Sequence, residues 1–446
     1  MALDLVIRGA LVVRETGTEE ASVGITEGRI AAIAPDIAEK ARETIDAQGL
    51  HLFPGVLDAH VHFNDPGRDA WEGVATGSAA LAAGGGTTFI DMPLNSSPPT
   101  LTAEAFDVKR AACEAAARTD FALWGGLTPL NLDSLEALAE RGVAGFKAFM
   151  SGSGIEDFPR CDDETLFRGM RIAARLGLPV AVHAENDGVT AALAVAARAE
   201  GRTGVRDWLD TRPVTAEAEA IGRALALAEE AGCRLHVVHT SSARGVRLIR
   251  AAVADGLCDA TCETCPHYLF FTDRDMVEIG ARAKCAPPLR SDDERKALLA
   301  EVVAGHVDTI GSDHSPSPPG MKGSADFFSV WGGISGAQTT LRALLTLGVR
   351  PSLIAALTAG NPARRFHLPG KAGIVVGADA DLALVDPGTM APLRAEELHD
   401  RHRLSPYVGR ALRGTVRRTL VRGRTVFLDG AVIGEPVGRF LRPTLA

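Results

Sequence analysis

Between residues 54 and 313, eight short apolar runs alternate with longer segments of helical period, and that alternation leaves few folds open. The runs are 54–63, 87–93, 121–126, 143–150, 178–185, 234–240, 258–263 and 307–313. Segments rich in Ala, Leu, Glu and Arg lie between most of them, such as DETLFRGMRIAARLG and TAEAEAIGRALALAEEAG. Eight parallel strands joined by helices meet the requirement for closing a (β/α)8 barrel. The chain therefore reads as α/β, a TIM-like barrel. Its two ends differ in style, alternating β-branched runs with Gly- and Asp-containing turns that predict hairpins. Each end alone is too short for a good core. We expect one small β-rich side domain built from residues 1–52 and 370–446, attached to a barrel of residues 53–369.

Charge and composition exclude several classes of function. A net charge of −9, with no Lys/Arg run, argues against a nucleic-acid surface. The opening MALDLVIRGALVVRETG lacks the layout of a signal peptide, and charged residues interrupt the long apolar runs. No nucleic-acid or membrane partner is expected. The seven cysteines are scattered and odd in number, which predicts reduced thiols and a cytoplasmic location. Cys258, Cys262 and Cys265 lack the second C-x-x-C of a structural zinc site and read as small, semi-buried packing residues.

Catalytic groups of such barrels stand at the C-terminal ends of the strands. The first predicted strand ends in His60 and His62, and side chains two apart on a strand point the same way. His183 ends the fifth, His239 the sixth and Asp313 the eighth, while Lys147 lies on the fourth. Four imidazoles converging with a carboxylate suit a metal site. Lys147 does not fit as an ammonium, which cannot ligate and is unfavourable when buried beside cations. A neutral lysine in that position is nucleophilic and adds carbon dioxide, giving an anionic carbamate (N6-carboxylysine) able to bridge two ions.

His60, His62, Lys147, His183, His239 and Asp313 resemble, position by position, the binuclear pattern of the amidohydrolase superfamily. HVHFNDPGR, DMPLN, GFKAFM, VHAEN, HTSS, ETCPHYL, KCAPPLR and SDHSP are similar to its cyclic amidase branch of dihydroorotases, hydantoinases and allantoinases. The resemblance implies a hydrolase with two divalent ions per subunit, zinc foremost, with cobalt, manganese or iron also fitting. It implies Asp313 as general base and acid, a small cyclic ureide as substrate, and a homo-oligomer, by family habit a homotetramer.

Within the branch, dihydroorotases carry a substrate-binding arginine two residues after the second histidine, where this chain has Asn64; Arg68 follows in PGR. Hydantoinases carry a tyrosine shortly after the modified lysine, where this chain reads SGSG. HFNDPGR, WEG, DMPLN and WGGISGAQ are most similar to allantoinases, implying conversion of allantoin to allantoate in purine breakdown. Asn64, Asn95, Ser151, Gly152, Ala286 and Gly332 are the expected substrate contacts. Hydantoinase (dihydropyrimidinase) and dihydroorotase are the alternatives, followed by a catalytically silent scaffold and a mononuclear deaminase. Asn95, His267 and His314 read either as substrate groups or as supports for the ligands. Residues 315–332, rich in Pro, Gly and Ser, read as a flap or a long loop.

Overall fold

The computed structural model describes residues 3–444. The chain starts with β1 (Leu3–Arg14), β2 (Gly17–Thr26), β3 (Arg29–Ala34), β4 (Ala41–Asp46) and β5 (His51–Pro54). Gly55 alone separates β5 from β6 (Val56–Val61), the first strand of the barrel. The barrel continues with β7 (Gly86–Asp91), β8 (Asp120–Leu123) and β9 (Gly125–Gly126), then β10 (Phe146–Phe149) and β11 (Val180–His183). It is completed by β12 (Leu235–Val237), β13 (Ala260–Thr264) and β14 (Thr309–Ile310).

All ladders in this set are parallel. β8 and β9 are one strand interrupted at Trp124, whose amide donates to the Asp91 carbonyl (3.0 Å). The other seam closes where Val61 pairs with His314 and the His62 amide donates to the His314 carbonyl (2.8 Å). The eight predicted runs thus form a closed (β/α)8 barrel. The strands are shorter than their apolar runs because the chain leaves the ladder where site residues begin. His239 (φ 39°) and Asp313 (φ 46°) both lie in the left-handed region, which no parallel ladder accepts.

The last strands, β15 (Leu382–Pro392), β16 (Ala411–Val421), β17 (Arg424–Leu428) and β18 (Ala431–Val432), return to the first. β15 lies antiparallel to β5, pairing Leu382 with Pro54 and Leu384 with Leu52. One nine-stranded sheet results, ordered β18-β17-β16-β15-β5-β1-β2-β3, with β4 on β1. The β-rich side unit from both ends of the chain is therefore present. It meets the barrel at a buried ionic knot. The Lys371 ammonium lies 2.7 Å from Asp120 of β8, 3.2 Å from Asp379 and against Asp381, and Arg422 also pairs with Asp120. Asp120, Asp379 and Asp381 come close enough to suggest a cation site, but the ammonium already fills it.

Short connections with side-chain caps set the spacing from strand end to helix. Ser242, three residues past His239, caps helix Ala243–Ala254 by accepting from Gly245 N–H (3.1 Å). Asn186 does the same after His183, accepting from Val189 N–H (3.0 Å). Gly84–Gly86, superficially a phosphate-binding run, forms the tight turn from helix Val74–Ala83 into β7, with Gly85 at φ 86°.

Candidate metal centre

The strand ends deliver the six predicted residues to the floor of one cavity of about 360 Å³ at the C-terminal mouth of the barrel; five of them line it and Lys147 is buried beneath. They fall into two groups. His60 Nε2 and His62 Nε2 each lie 3.4 Å from Asp313 Oδ1. On the other side, His183 Nδ1 and His239 Nε2 stand 3.0 Å apart. Lys147 is fully buried and its Nζ has no hydrogen-bond partner, only the Phe149 ring with its centroid at 4.8 Å.

Burial sets the protonation states the site needs. It lowers the pKa of His62 and His183, and that of His239 far more, so these imidazoles are neutral lone-pair donors at pH 7. Burial also brings Lys147 down to about 7, so a large share of its amine is unprotonated. Burial opposes ionisation of Asp313, but His60 and His62 override it and hold the carboxyl well below its usual range. An orphaned amine, neutral imidazoles with converging nitrogens and an ionised carboxylate are a donor set that fits divalent ions.

Two carboxylates that the motif reading left unassigned orient the imidazoles. Glu263 of β13 binds His60 Nδ1 (2.6 Å), and Glu185 binds His183 Nε2 (2.8 Å) while pairing with Arg212. Burial opposes the charge on both, but Arg212 and His183 lower Glu185 to about 2, and His60 and His236 lower Glu263 to about 2. Each contact leaves the opposite ring nitrogen facing the cavity.

Comparison with known proteins gives a consistent answer. Residues 51–426 match the amidohydrolase family. The chain belongs to that family. It is 57% identical to an allantoinase of Rubrobacter xylanophilus, covering 99% of this chain and 98% of the relative. An allantoinase of Deinococcus radiodurans is 53% identical, with 99% of each chain covered. Among solved structures, the L-hydantoinase (dihydropyrimidinase) of Arthrobacter aurescens superposes with a TM-score of 0.95 at 35% identity, covering 99% of this chain and all of that one. Family membership and the His/Asp cluster together point to a divalent-metal centre.

The wall of this amidohydrolase's cavity includes four of the six expected substrate contacts: Asn95, Gly152, Ala286 and Gly332. Asn64 and Ser151 do not line it. Both are buried with side-chain polar atoms unpartnered, and Asn64 sits in a left-handed turn at φ 68°. Arg68 is also outside the lining, bound to the Asn95 and Ser96 carbonyls and to Asp157. Asn95 reaches His62 Nδ1 and Ser315 Oγ, each at 3.4 Å. His267 is buried away from the lining and lowered to about 4 by burial; His314 faces Glu72 at 3.7 Å.

The strand-end rule reaches Glu185, two residues past His183. Lys284, Arg212, Phe149, Trp208 and Trp331 also line the wall, and no spacing in the sequence marks them. The 315–332 segment is a long loop with two short helical turns, Pro319–Lys322 and Phe327–Ser329, and contributes Ser315 and Phe328 through Gly332 to the lining.

Proposed function

We propose that this amidohydrolase opens the hydantoin ring of allantoin to give allantoate, using two divalent ions. The observation that carries the reading is the convergence of two donor groups on one cavity floor, with Lys147 buried beneath them. Full-length identity to allantoinases selects the ring. His60, His62 and Asp313 would hold one ion, His183 and His239 the other, and a carboxylated Lys147 would bridge them. Carboxylation forms a bond from Lys147 Nζ to the carbon of carbon dioxide, with a proton leaving to solvent. Zinc is the ion we assign to this His-rich set.

Bound there, the ions would supply Lewis acidity, lowering the pKa of a water and polarising a ring carbonyl. The chain's own groups do the rest. Asp313, ionised and within reach of both strand-1 imidazoles, accepts the proton of the attacking water. It then passes that proton to the ring nitrogen as the amide bond breaks. Glu263 and Glu185 keep His60 and His183 in the ring orientation the ions require. The wall groups of Ala286 and Gly332 supply backbone N–H and C=O to the ring.

The dihydroorotase alternative needs a cation for the substrate carboxylate. Asn64 and Arg68 do not offer one at the wall, Arg212 is paired with Glu185, and Lys284 is turned toward the Phe327 and Val330 carbonyls. A panel of allantoin, dihydroorotate, dihydrouracil and hydantoin, assayed on metal-replete enzyme, tests the reading; faster turnover of any other ring than of allantoin overturns it. The same reading carries a cytoplasmic homo-oligomer, a tetramer, which light scattering on the purified enzyme checks.

A further inference from the structure

The loop that roofs the cavity is held in an unusual way. Lys284 Nζ donates to the carbonyls of Phe327 (2.6 Å), Phe328 (3.3 Å) and Val330 (2.6 Å). Lys322 Nζ donates to those of Trp331 (2.9 Å) and Gly333 (2.8 Å). Lys284 Nζ also lies over the Trp208 and Phe327 rings, at 4.9 and 5.1 Å. Two lysines thus occupy the carbonyls of Phe327, Phe328, Val330, Trp331 and Gly333 along one short stretch of backbone.

The amides of the same stretch are also engaged. Phe327 donates to the Thr203 carbonyl, Phe328 to the Asp326 carboxylate, Ser329 to the Asp326 carbonyl and Val330 to Phe327. Trp331 donates to Met321 and Gly333 to the Lys284 carbonyl. Among the described residues, Gly332 is the one position from 327 to 333 whose N–H and C=O both lack a protein partner. It also lines the cavity. A backbone amide pair left open on a cavity wall is a ready partner for a ring that carries its own N–H and C=O groups.

We propose that Lys322 and Lys284 are positioning residues for substrate recognition, fixing the loop so that Gly332 alone presents a free peptide donor and acceptor to the ring. The inference rests on the cyclic-amide reading above. Lys322 stands outside the cavity lining and Lys284 on its wall; both act through the backbone between them. Lys322 matters most, because the carbonyls it holds directly flank Gly332.

Lys322→Met retains the side-chain length and removes the ammonium. The metal-loaded variant is assayed with allantoin and with hydantoin, which shares the ring but lacks the ureido arm, recording kcat, KM, metal content and Tm. KM should rise about tenfold or more for both substrates, the size of one lost hydrogen bond to the ring. The kcat and metal content should change little, because binding lost equally in ground and transition states appears in KM. Lys322→Arg, which keeps the charge and donors, should recover part of the loss. An unchanged KM, or a loss that follows metal content alone, overturns the proposal. Should Lys322→Met fail to fold, Lys322→Gln, which shortens the side chain and removes the charge outside the cavity lining, is read by the same criteria. A parent enzyme inactive on allantoin but active on another cyclic amide removes the allantoin assignment alone, and the KM comparison is then made with that ring.

Discussion

Lys147 and Asp313 carry the chemistry proposed for the centre, and each yields a distinct expectation. Lys147 is a fully buried amine without a hydrogen-bond partner, lowered to about 7 by burial. Lys147→Ala should lose both activity and bound metal, and short-chain carboxylic acids should restore part of each by replacing the missing oxygens. Full activity in that variant, measured beside its metal content, would dismiss the bridging role. Asp313→Asn should keep the fold and much of the metal, because an amide oxygen still ligates weakly. Its turnover should fall by about 10²–10⁴, the usual contribution of a general acid–base group. A rate within tenfold of the parent would assign the proton transfer to another residue. His239, Asp313 and Asn95 all adopt positive φ, a conformation that costs such residues about 1–3 kcal/mol each, and all three line one cavity.

At the level of elements, the strand ends control how closely the ligands approach. Gly311, just past β14, is packed so tightly that an added Cβ would fall 2.6 Å from Glu263 Oε2 and 2.8 Å from His60 Cβ. Gly311→Ala should therefore displace His60 and lower metal content, although Gly311 carries no ligand; elemental analysis showing parent-level metal would refute this. The strands and their ligands were legible because a buried parallel strand leaves an unbroken apolar run, and His60, His62, His183, His239 and Asp313 terminate such runs. Glu263 sits inside its strand and looks like any strand residue until His60 is seen 2.6 Å away across the barrel. Lys284, Lys322 and Trp331 were illegible for a different reason. Their roles depend on how a long loop folds back, and loop geometry has no periodicity to read. Asn64 is the opposite case: its place in a motif suggested the cavity, whereas its side chain is buried outside the lining.

At the scale of the molecule, the joint between sheet and barrel is ionic. Lys371 is buried among Asp120, Asp379 and Asp381, and Asp381 and Asp120 overcome burial to raise its pKa, keeping it charged. Lys371→Met would leave buried Asp381 without a cationic partner, a loss of about 3–5 kcal/mol where such a pair is broken from one side. We expect a clear fall in Tm, with the metal centre itself unaltered in the variant that remains folded; an unchanged melting curve would refute the role. The side sheet has a further consequence, for biogenesis. Because β5 pairs with β15, the edge that carries Leu52 and Phe53 emerges from the ribosome long before its partner is translated. His60, His62, Lys147, His183, His239 and Asp313 are all translated in that interval, so the nascent chain carries them while the apolar strand edge still lacks its partner. Messages cut short before β15 would thus yield products prone to edge-to-edge association rather than smaller working enzymes.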